Sequence, residues 1–192
     1  MGNLVQAQAA ATAATAVAAR QLAAAGEANQ YLTFTLGGEM FAVGILNVKE
    51  IIEYGSLTEI PMMPAFIRGV INLRGAVVPV IDLAARFGGK VTAVGRRTCI
   101  VIVEVRQEEG RHDIGIMVDA VSEVLEIAGT EIEPPPAFGA KIRADFIAGM
   151  GKVGGKFVII LDILRVLSVE EMAVIADVGA TANATADVAA IA

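Results

Sequence analysis

The sequence predicts a mainly β protein built from two copies of one small β-unit. Short runs rich in β-branched residues, such as "AVVPVIDL" (76–83) and "TCIVIVEV" (98–105), recur along the chain with turn residues between them. The stretch 66–83 also matches the stretch 146–163 without a gap. Many short strands at close spacing are typical of small barrels or sandwiches, and ordered recurrence indicates an internal duplication.

The strands and helices follow from local pattern. "YLTFTLGGEMFAVGI" (31–45) predicts a hairpin around Gly37 and Gly38, because paired glycines favour a tight turn. Pro79 inside its β run predicts an edge strand or a bulge. Further strands are predicted at "HDIGIMV" and "KFVIILDI", and short helices at 45–52, 83–88 and 120–127, with a C-terminal helix from Ser168.

The duplication sets the expected boundaries of the two units. A shift of 80 residues places Gly75 on Gly155 and Asp82 on Asp162, and a shift of 73 places Val48 on Val121. We therefore expect units at about 31–96 and 97–168. Each alone is small enough to be marginally stable, so we expect the two to share a buried face. Asp82 and Asp162, each after a β run, are predicted helix N-caps.

The two ends of the chain differ from this middle region in composition. Residues 1–29 are rich in Ala and Thr and lack a strong apolar stripe, which predicts a flexible or partly helical extension. Residues 173–192 form an Ala-rich acidic tail, and the whole segment 169–192 carries four acids and no base.

Charge and cysteine content exclude several classes of partner. The net charge is −6 and the excess lies in the acidic tail, so the chain lacks the basic stripe that nucleic acid requires. No run approaches the roughly 20 apolar residues of a membrane helix, so direct membrane insertion is not expected. A single cysteine suits a reducing compartment, and we expect a cytoplasmic protein.

No residue pattern predicts a catalytic or metal site. His112 is the only histidine and falls in a polar turn, without a second ligand at metal spacing. Cys99 opens a β run and is interpreted as a small packing residue. The glycine pairs lack the phosphate-loop pattern. A hydrolase using His112 and Glu109 is the weakest of the hypotheses, and no cofactor is expected.

Residues 30–172 resemble the CheW-type chemotaxis coupling proteins. The resemblance runs from "QYLTFTLGGEMFAVGILNVKEI" through "IPMMPAFIRGVINLRGAVVPVIDL" and "GIMVDAVSEVLEI" to "FVIILDI", and its most specific part is "PAFIRGVINLRGAVVPVIDL". It implies two tandem SH3-like five-stranded β-barrels packed together, with short connecting helices and a C-terminal helix. It also implies a non-enzymatic adaptor that couples methyl-accepting chemoreceptors to the histidine kinase CheA.

The resemblance implies two contact surfaces. The kinase-contact or coupling set, facing the regulatory domain of CheA, is Glu50, Asn72, Leu73, Arg74 and Gly75. A groove between the barrels would take the helical hairpin tip of the receptor, with Val48, Ile51, Val70, Ile71, Val118 and Val121 as its apolar residues. It further implies self-association in arrays and recruitment of a cytoplasmic protein to membrane receptors.

The duplication separates Arg74 from the scaffold. Under the shift of 80, Arg74 falls on Gly154 and Asn72 on Lys152, whereas the glycines and Asp82 recur. A residue that the barrel needs should be present in both copies, which favours a partner contact for Arg74. A solvated arginine, or one paired internally with Glu50, is the alternative. For the groove residues the alternative is simply core packing.

Two functions remain open at this stage. One is the chemotaxis adaptor, and the other is a CheW-like SH3-type interaction module in another two-component pathway.

Overall fold

The computed structural model describes residues 28–107, 110–135 and 142–168. The predicted C-terminal helix after Ser168, the tail 173–192 and residues 1–27 of the expected extension lie outside these ranges, whereas residues 28–29 belong to β1. The described residues form eleven strands: β1 Ala28–Leu36, β2 Glu39–Gly44, β3 Val48–Glu53, β4 Ile67–Leu73, β5 Ala76–Asp82, β6 Cys99–Gln107, β7 Gly110–Val118, β8 Ala120–Ala128, β9 Ile132–Glu133, β10 Ile147–Val153 and β11 Lys156–Leu161. The helices are α1 Leu83–Arg86 and α2 Ile163–Val166, with 3₁₀ turns at Ile45–Asn47, Gly129–Glu131 and Ala144–Phe146.

The strands form two antiparallel-rich sheets that exchange elements. Barrel one has the order β3-β6-β7-β5-β4, and barrel two has the order β8-β1-β2-β11-β10-β9. Barrel one therefore combines β3, β4 and β5 of the first copy with the hairpin β6–β7 of the second copy. Barrel two combines β8 to β11 of the second copy with the hairpin β1–β2 of the first copy. The mainly β fold is confirmed, but the sheets do not correspond to the expected units 31–96 and 97–168.

The pairing register reproduces the duplication residue by residue. In barrel two, Ala42 of β2 pairs in parallel with Ile160 of β11. In barrel one, Gly115 of β7 pairs in parallel with Val80 of β5. The shift of 73 residues takes Ala42 to Gly115, and the shift of 80 residues takes Val80 to Ile160, so the two pairs occupy equivalent positions. The internal repeat is thus a structural pseudo-symmetry, and the two barrels can be compared position by position.

Three apolar clusters stabilise this arrangement. One small cluster fills barrel one around Val78, Val80 and Ile102, and another fills barrel two around Ile127 and Ile160. The largest lies between the barrels and combines side chains of β1, β2, β5, β6 and β7 with both helices. The expected shared face therefore exists. Strand β6 is buried on both sides, from Ile100 to Val103, which explains its unbroken apolar run.

Two of the predicted helices are wrong. Residues 45–52 form a 3₁₀ turn followed by β3, and residues 120–127 form β8. In β3, the more buried residues alternate with exposed ones, a two-residue period, because the strand pairs with β6. Sheet pairing overrides the helix-like spacing of the apolar residues. Helix α1 falls within the predicted 83–88.

Both predicted N-caps are confirmed. The Asp82 carboxylate accepts a hydrogen bond from the Ala85 amide, and Asp162 accepts one from the Arg165 amide, each at 3.2 Å. Asp82 is also fully buried, and its two oxygens accept from the amide and the hydroxyl of Thr92 at 2.7 and 2.8 Å. Asp82 therefore caps helix α1 and also anchors the segment around Thr92 that leads to β6.

Pro79 does not mark an edge strand, because β5 lies between β4 and β7. That prediction is wrong about strand order. The parallel ladder between β5 and β7 nevertheless begins only at Val80, one residue after the proline. The upstream part of β5 thus pairs with β4 alone.

Arg86 links the two copies near their pseudo-symmetry axis. Its guanidinium lies 5.1 Å from the ring centre of Phe66 and 5.3 Å from that of Phe146, which are equivalent residues of the two copies. Its Nε donates to the carbonyl oxygen of Val166 at 3.2 Å, at the end of α2. Val166 is itself the position equivalent to Arg86.

Replacing Arg86 by alanine should lower the free energy of unfolding by about 1–3 kcal/mol, because two cation–π contacts and a hydrogen bond are lost. Urea unfolding followed by circular dichroism measures this. Arg106→Ala, at a well-exposed side chain, is the matched control and should change stability by less than about 0.5 kcal/mol. Equal effects of the two variants would contradict the linking role of Arg86.

Candidate protein-contact site

The centre of the candidate site is an ion pair that connects the two outer strands of barrel one. Arg74 lies in the two-residue turn between β4 and β5, and Glu50 lies on β3. The Arg74 Nη2 donates to Glu50 Oε2 at 2.9 Å. The Arg74 side chain is 79% exposed and that of Glu50 is 25% exposed. The internal pair expected as one alternative is therefore formed, and it stays accessible to a partner.

The backbone of Arg74 is strained. Its φ is +52°, in the left-handed region, and Gly75 follows with φ +89°. The equivalent turn in barrel two uses Gly154 and Gly155, with φ of +56° and +78°. A side chain in this region costs roughly 1–2 kcal/mol relative to glycine, whereas an exposed ion pair returns about 0–1 kcal/mol. Stability alone does not explain an arginine here.

The other residues of the predicted coupling set support this turn. Asn72 Oδ1 accepts a hydrogen bond from the Gly75 amide at 2.8 Å, which stabilises the turn conformation. Leu73 packs against the apolar cluster inside barrel one. The geometry thus separates one exposed side chain, Arg74, from neighbours that hold it in position.

A second charged group, around Lys49 on β3, was missed by the sequence analysis. Lys49 Nζ lies 2.9 Å from both carboxylate oxygens of Asp113 and 3.8 Å from Glu104. Glu104 also pairs with Arg106 and Arg111, at 3.3 and 3.6 Å. The hydrogen bond that Lys49 donates to the Asp113 carboxylate, helped by attraction to both acids, raises the pKa of Lys49 above its ordinary value. These residues are far apart in sequence, and only strand pairing joins them.

The predicted groove residues differ in accessibility. Val118 is fully buried in the cluster between the barrels, so its expected role in a groove is wrong. Val48 and Val121 are partly buried and pack against that same cluster, and Ile71 packs inside barrel one. Val70 is also partly buried. Ile51, at 43% exposure, presents the most accessible side chain of the set.

Two further exposed apolar residues lie outside the predicted set. Leu46, in the 3₁₀ turn before β3, is 97% exposed, and Val124 on β8 is 46% exposed. Both lie next to predicted residues along the chain, but apolar character alone could not distinguish them from core.

Of the candidate catalytic residues, the structure describes His112 and Cys99. His112 lies exposed on strand β7 rather than in a turn. The Cys99 thiol contacts the carbonyl oxygen of Arg97 at 3.2 Å. Within residues 28–107, 110–135 and 142–168, no cluster of His, Cys, Asp or Glu has the composition of a metal site. Glu109 lies outside these ranges. No helix in the described part of the chain could span a membrane.

These features define a class: a two-barrel β protein with an exposed ion pair at a hairpin turn of barrel one. The chain belongs to the CheW-like domain family, which matches residues 30–171. It is 38% identical over 149 residues to a chemotaxis protein CheW of Klebsiella aerogenes, covering 78% of this chain and 87% of that protein.

Further relatives agree with this assignment. The protein FrzA of Myxococcus xanthus is 31% identical over 137 residues, covering 71% of this chain and 82% of the relative. The crystal structure of the scaffolding protein TtCheW from Thermoanaerobacter tengcongensis superposes with a TM-score of 0.64 at 38% identity, covering 71% of this chain and 85% of that one. This structure supports the two-domain SH3-like fold expected from the sequence.

Replacing Arg74 by glycine should leave the free energy of unfolding unchanged or raise it by up to about 1 kcal/mol, because relief of the left-handed backbone outweighs an exposed ion pair. Chemical denaturation of wild type and variant measures this. A loss of more than about 1 kcal/mol would show that the ion pair is mainly structural.

Proposed function

We propose that this protein is a non-catalytic adaptor that couples methyl-accepting chemoreceptors to the histidine kinase CheA in chemotaxis signalling. The observation that carries the proposal is the exposed Arg74, held in a strained turn that the duplicated barrel builds from two glycines. Strain retained at one position of a repeat indicates a function at that position. Membership in the CheW-like family supplies the pathway.

The kinase contact is assigned to the surface around Arg74 and Glu50. Glu50 orients the guanidinium by one hydrogen bond and leaves its other donors exposed. An arginine fork of this kind suits a carboxylate or a carbonyl group of the partner. The regulatory domain of CheA is the proposed partner, and self-association of this chain in arrays would use the same kind of barrel surface.

The receptor contact is assigned to the apolar surface around Ile51, with Leu46 and Val124 extending it. A helical hairpin tip presents apolar side chains at three- and four-residue spacing, and exposed apolar side chains beside partly buried ones can seat it. Val48 and Val121 form the floor of this surface rather than its rim. The protein would act in the cytoplasm and be recruited to receptor arrays through this contact.

The second candidate is an adaptor in another two-component pathway. The observation that favours it is the similarity to the protein FrzA, a relative that is not named as a chemotaxis protein CheW. Affinity purification from cells, with identification of the kinase and receptors that co-purify, distinguishes the two.

Replacing Arg74 by glutamate should raise the Kd for the CheA regulatory domain by about 10-fold or more, because it removes the fork and places two acids together. Isothermal titration calorimetry measures this. The thermal unfolding midpoint should stay nearly unchanged, since the side chain is exposed.

The double variant Glu50→Arg, Arg74→Glu is the sharper control. It can re-form the ion pair with the charges reversed, but it presents the wrong charge to the partner. Binding should remain weak in this variant. Recovery of wild-type affinity would show that the pair acts only within barrel one.

Replacing Ile51 by serine should weaken binding of a receptor cytoplasmic fragment and change stability by less than about 1 kcal/mol, because this side chain is partly exposed. Co-sedimentation with receptor fragments measures binding. Val94→Ser, at a similarly exposed valine before β6, is the control and should bind normally. Unchanged binding by the Ile51 variant would remove this surface from the receptor contact.

A further inference from the structure

Strands β5 and β7 of barrel one are paired over only part of their length. They pair in parallel at only three positions, from Val80 with Gly115 to Asp82 with Met117. Upstream of these pairs the two strands diverge, and the space between them is a slot of about 760 Å³. Its lining includes both faces of β5, with Ala76 and Val78 on one side and Val77 and Pro79 on the other. The slot thus lies in the plane of the sheet.

Pro79 explains why the ladder stops. It has no N–H to donate to β7, so the next rung cannot form. Barrel two provides the comparison, because the equivalent residue there is Ile159. The parallel ladder of barrel two has two pairs and begins with Ile159 and Phe41, one position earlier than the ladder of barrel one. The later start of the ladder in barrel one thus coincides with the proline.

The slot exposes backbone groups that can pair with another strand. Leu73 and Ala76 flank the two-residue turn of their hairpin and form a hydrogen-bonded pair. In an antiparallel ladder the next pair, Asn72 with Val77, is then not hydrogen-bonded. The amide and carbonyl of Val77 therefore point away from β4. On β7, the same alternation from Gly110 directs the backbone groups of Arg111 and Asp113 toward β5. In the described part of the chain none of these three residues has a ladder partner on the slot side.

Side chains around the slot select what can enter. Val77 is 71% exposed and lies with Ile67 and Pro79 on the apolar side. At the charged side, the side chains of Lys49 and Arg111 are 46% and 65% exposed, whereas the acids Glu104 and Asp113 are 18% and 27% exposed. The acids are engaged by these cations, so the accessible charge is positive.

We propose that this slot binds a short extended segment of the kinase as an added β-strand, with apolar side chains against Val77 and an acidic side chain toward Arg111. Main-chain hydrogen bonds give affinity in this mode, and side-chain pockets give selectivity. The slot and the coupling set are adjacent along the chain, because the lining residue Ala76 follows Arg74 and Gly75, and the lining residue Lys49 precedes Glu50. The inference rests on the proposed function, which assigns the kinase to that surface.

Amide hydrogen exchange of the full chain, measured by NMR with and without the CheA regulatory domain, tests the added strand. The amides of Val77, Arg111 and Asp113 should exchange rapidly in the free protein and become protected by about 10-fold or more in the complex. If the kinase binds and these amides stay unprotected, the slot is not its site, while the proposed function stands. If the kinase does not bind at all, both fail.

Two variants test the recognition independently. Pro79→Ile copies barrel two, adds the missing donor and narrows the slot, so the Kd should rise by about 3- to 10-fold with no loss of thermal stability. Arg111→Glu, at an exposed side chain, should weaken binding most strongly at low salt. Leu164→Asp, at an exposed residue of α2, is the matched control and should bind as wild type. Wild-type affinity in both slot variants would overturn the proposal.

Discussion

The apolar cluster shared by the two barrels is the constraint on which the rest of the structure depends. Each barrel encloses only a small cluster of its own, and the largest set of buried side chains lies where the sheets face one another. Small units of this size bury too little surface to be stable alone. The exchange of hairpins between the copies strengthens this dependence, because each barrel contains strands from both halves of the chain. Neither half can fold its own barrel without the other, and the surfaces on the two barrels are therefore held in a defined relation.

Departures from the internal symmetry carry the functional information. Where the copies agree, as in the aspartate N-caps or the parallel pairing of β2 with β11 and β7 with β5, the residues serve the scaffold. Where they differ, the residue in the first copy is less favourable for stability. Arg74 occupies a left-handed position that Gly154 fills without strain, and Pro79 removes a ladder hydrogen bond that Ile159 permits. Both departures lie on the β4–β5 hairpin of barrel one, and both leave polar groups without a partner in the ladder.

An adaptor needs separate contact surfaces on one folded body. In this protein the two proposed surfaces consist of a few exposed charged and apolar side chains. The exposed ion pair and the charged group around Lys49 offer directional hydrogen bonds, which favour selectivity. The exposed apolar residues beside β3 and on β8 offer area for a helical partner. Glu50 and Ile51 are neighbours on β3, so the two proposed surfaces meet along one strand. If both proposed surfaces are used, a partner on one of them would contact the strand that the other partner uses.

The fold class, the duplication, the helix caps and the non-recurring arginine could be predicted from the residues, because they follow from local pattern and from comparison of one half of the chain with the other. Arg74 and Glu50 were also predicted as site residues, and the structure places them in contact. The exchange of hairpins, the burial of Val118 and the strand character of 48–53 and 120–128 became visible only in the folded protein. Strand pairing is set by contacts between distant segments, and a strand buried on both faces has no polar side to reveal its orientation. For the same reason the cluster of Lys49, Glu104 and Asp113 could not be read from residues that lie on three separate strands.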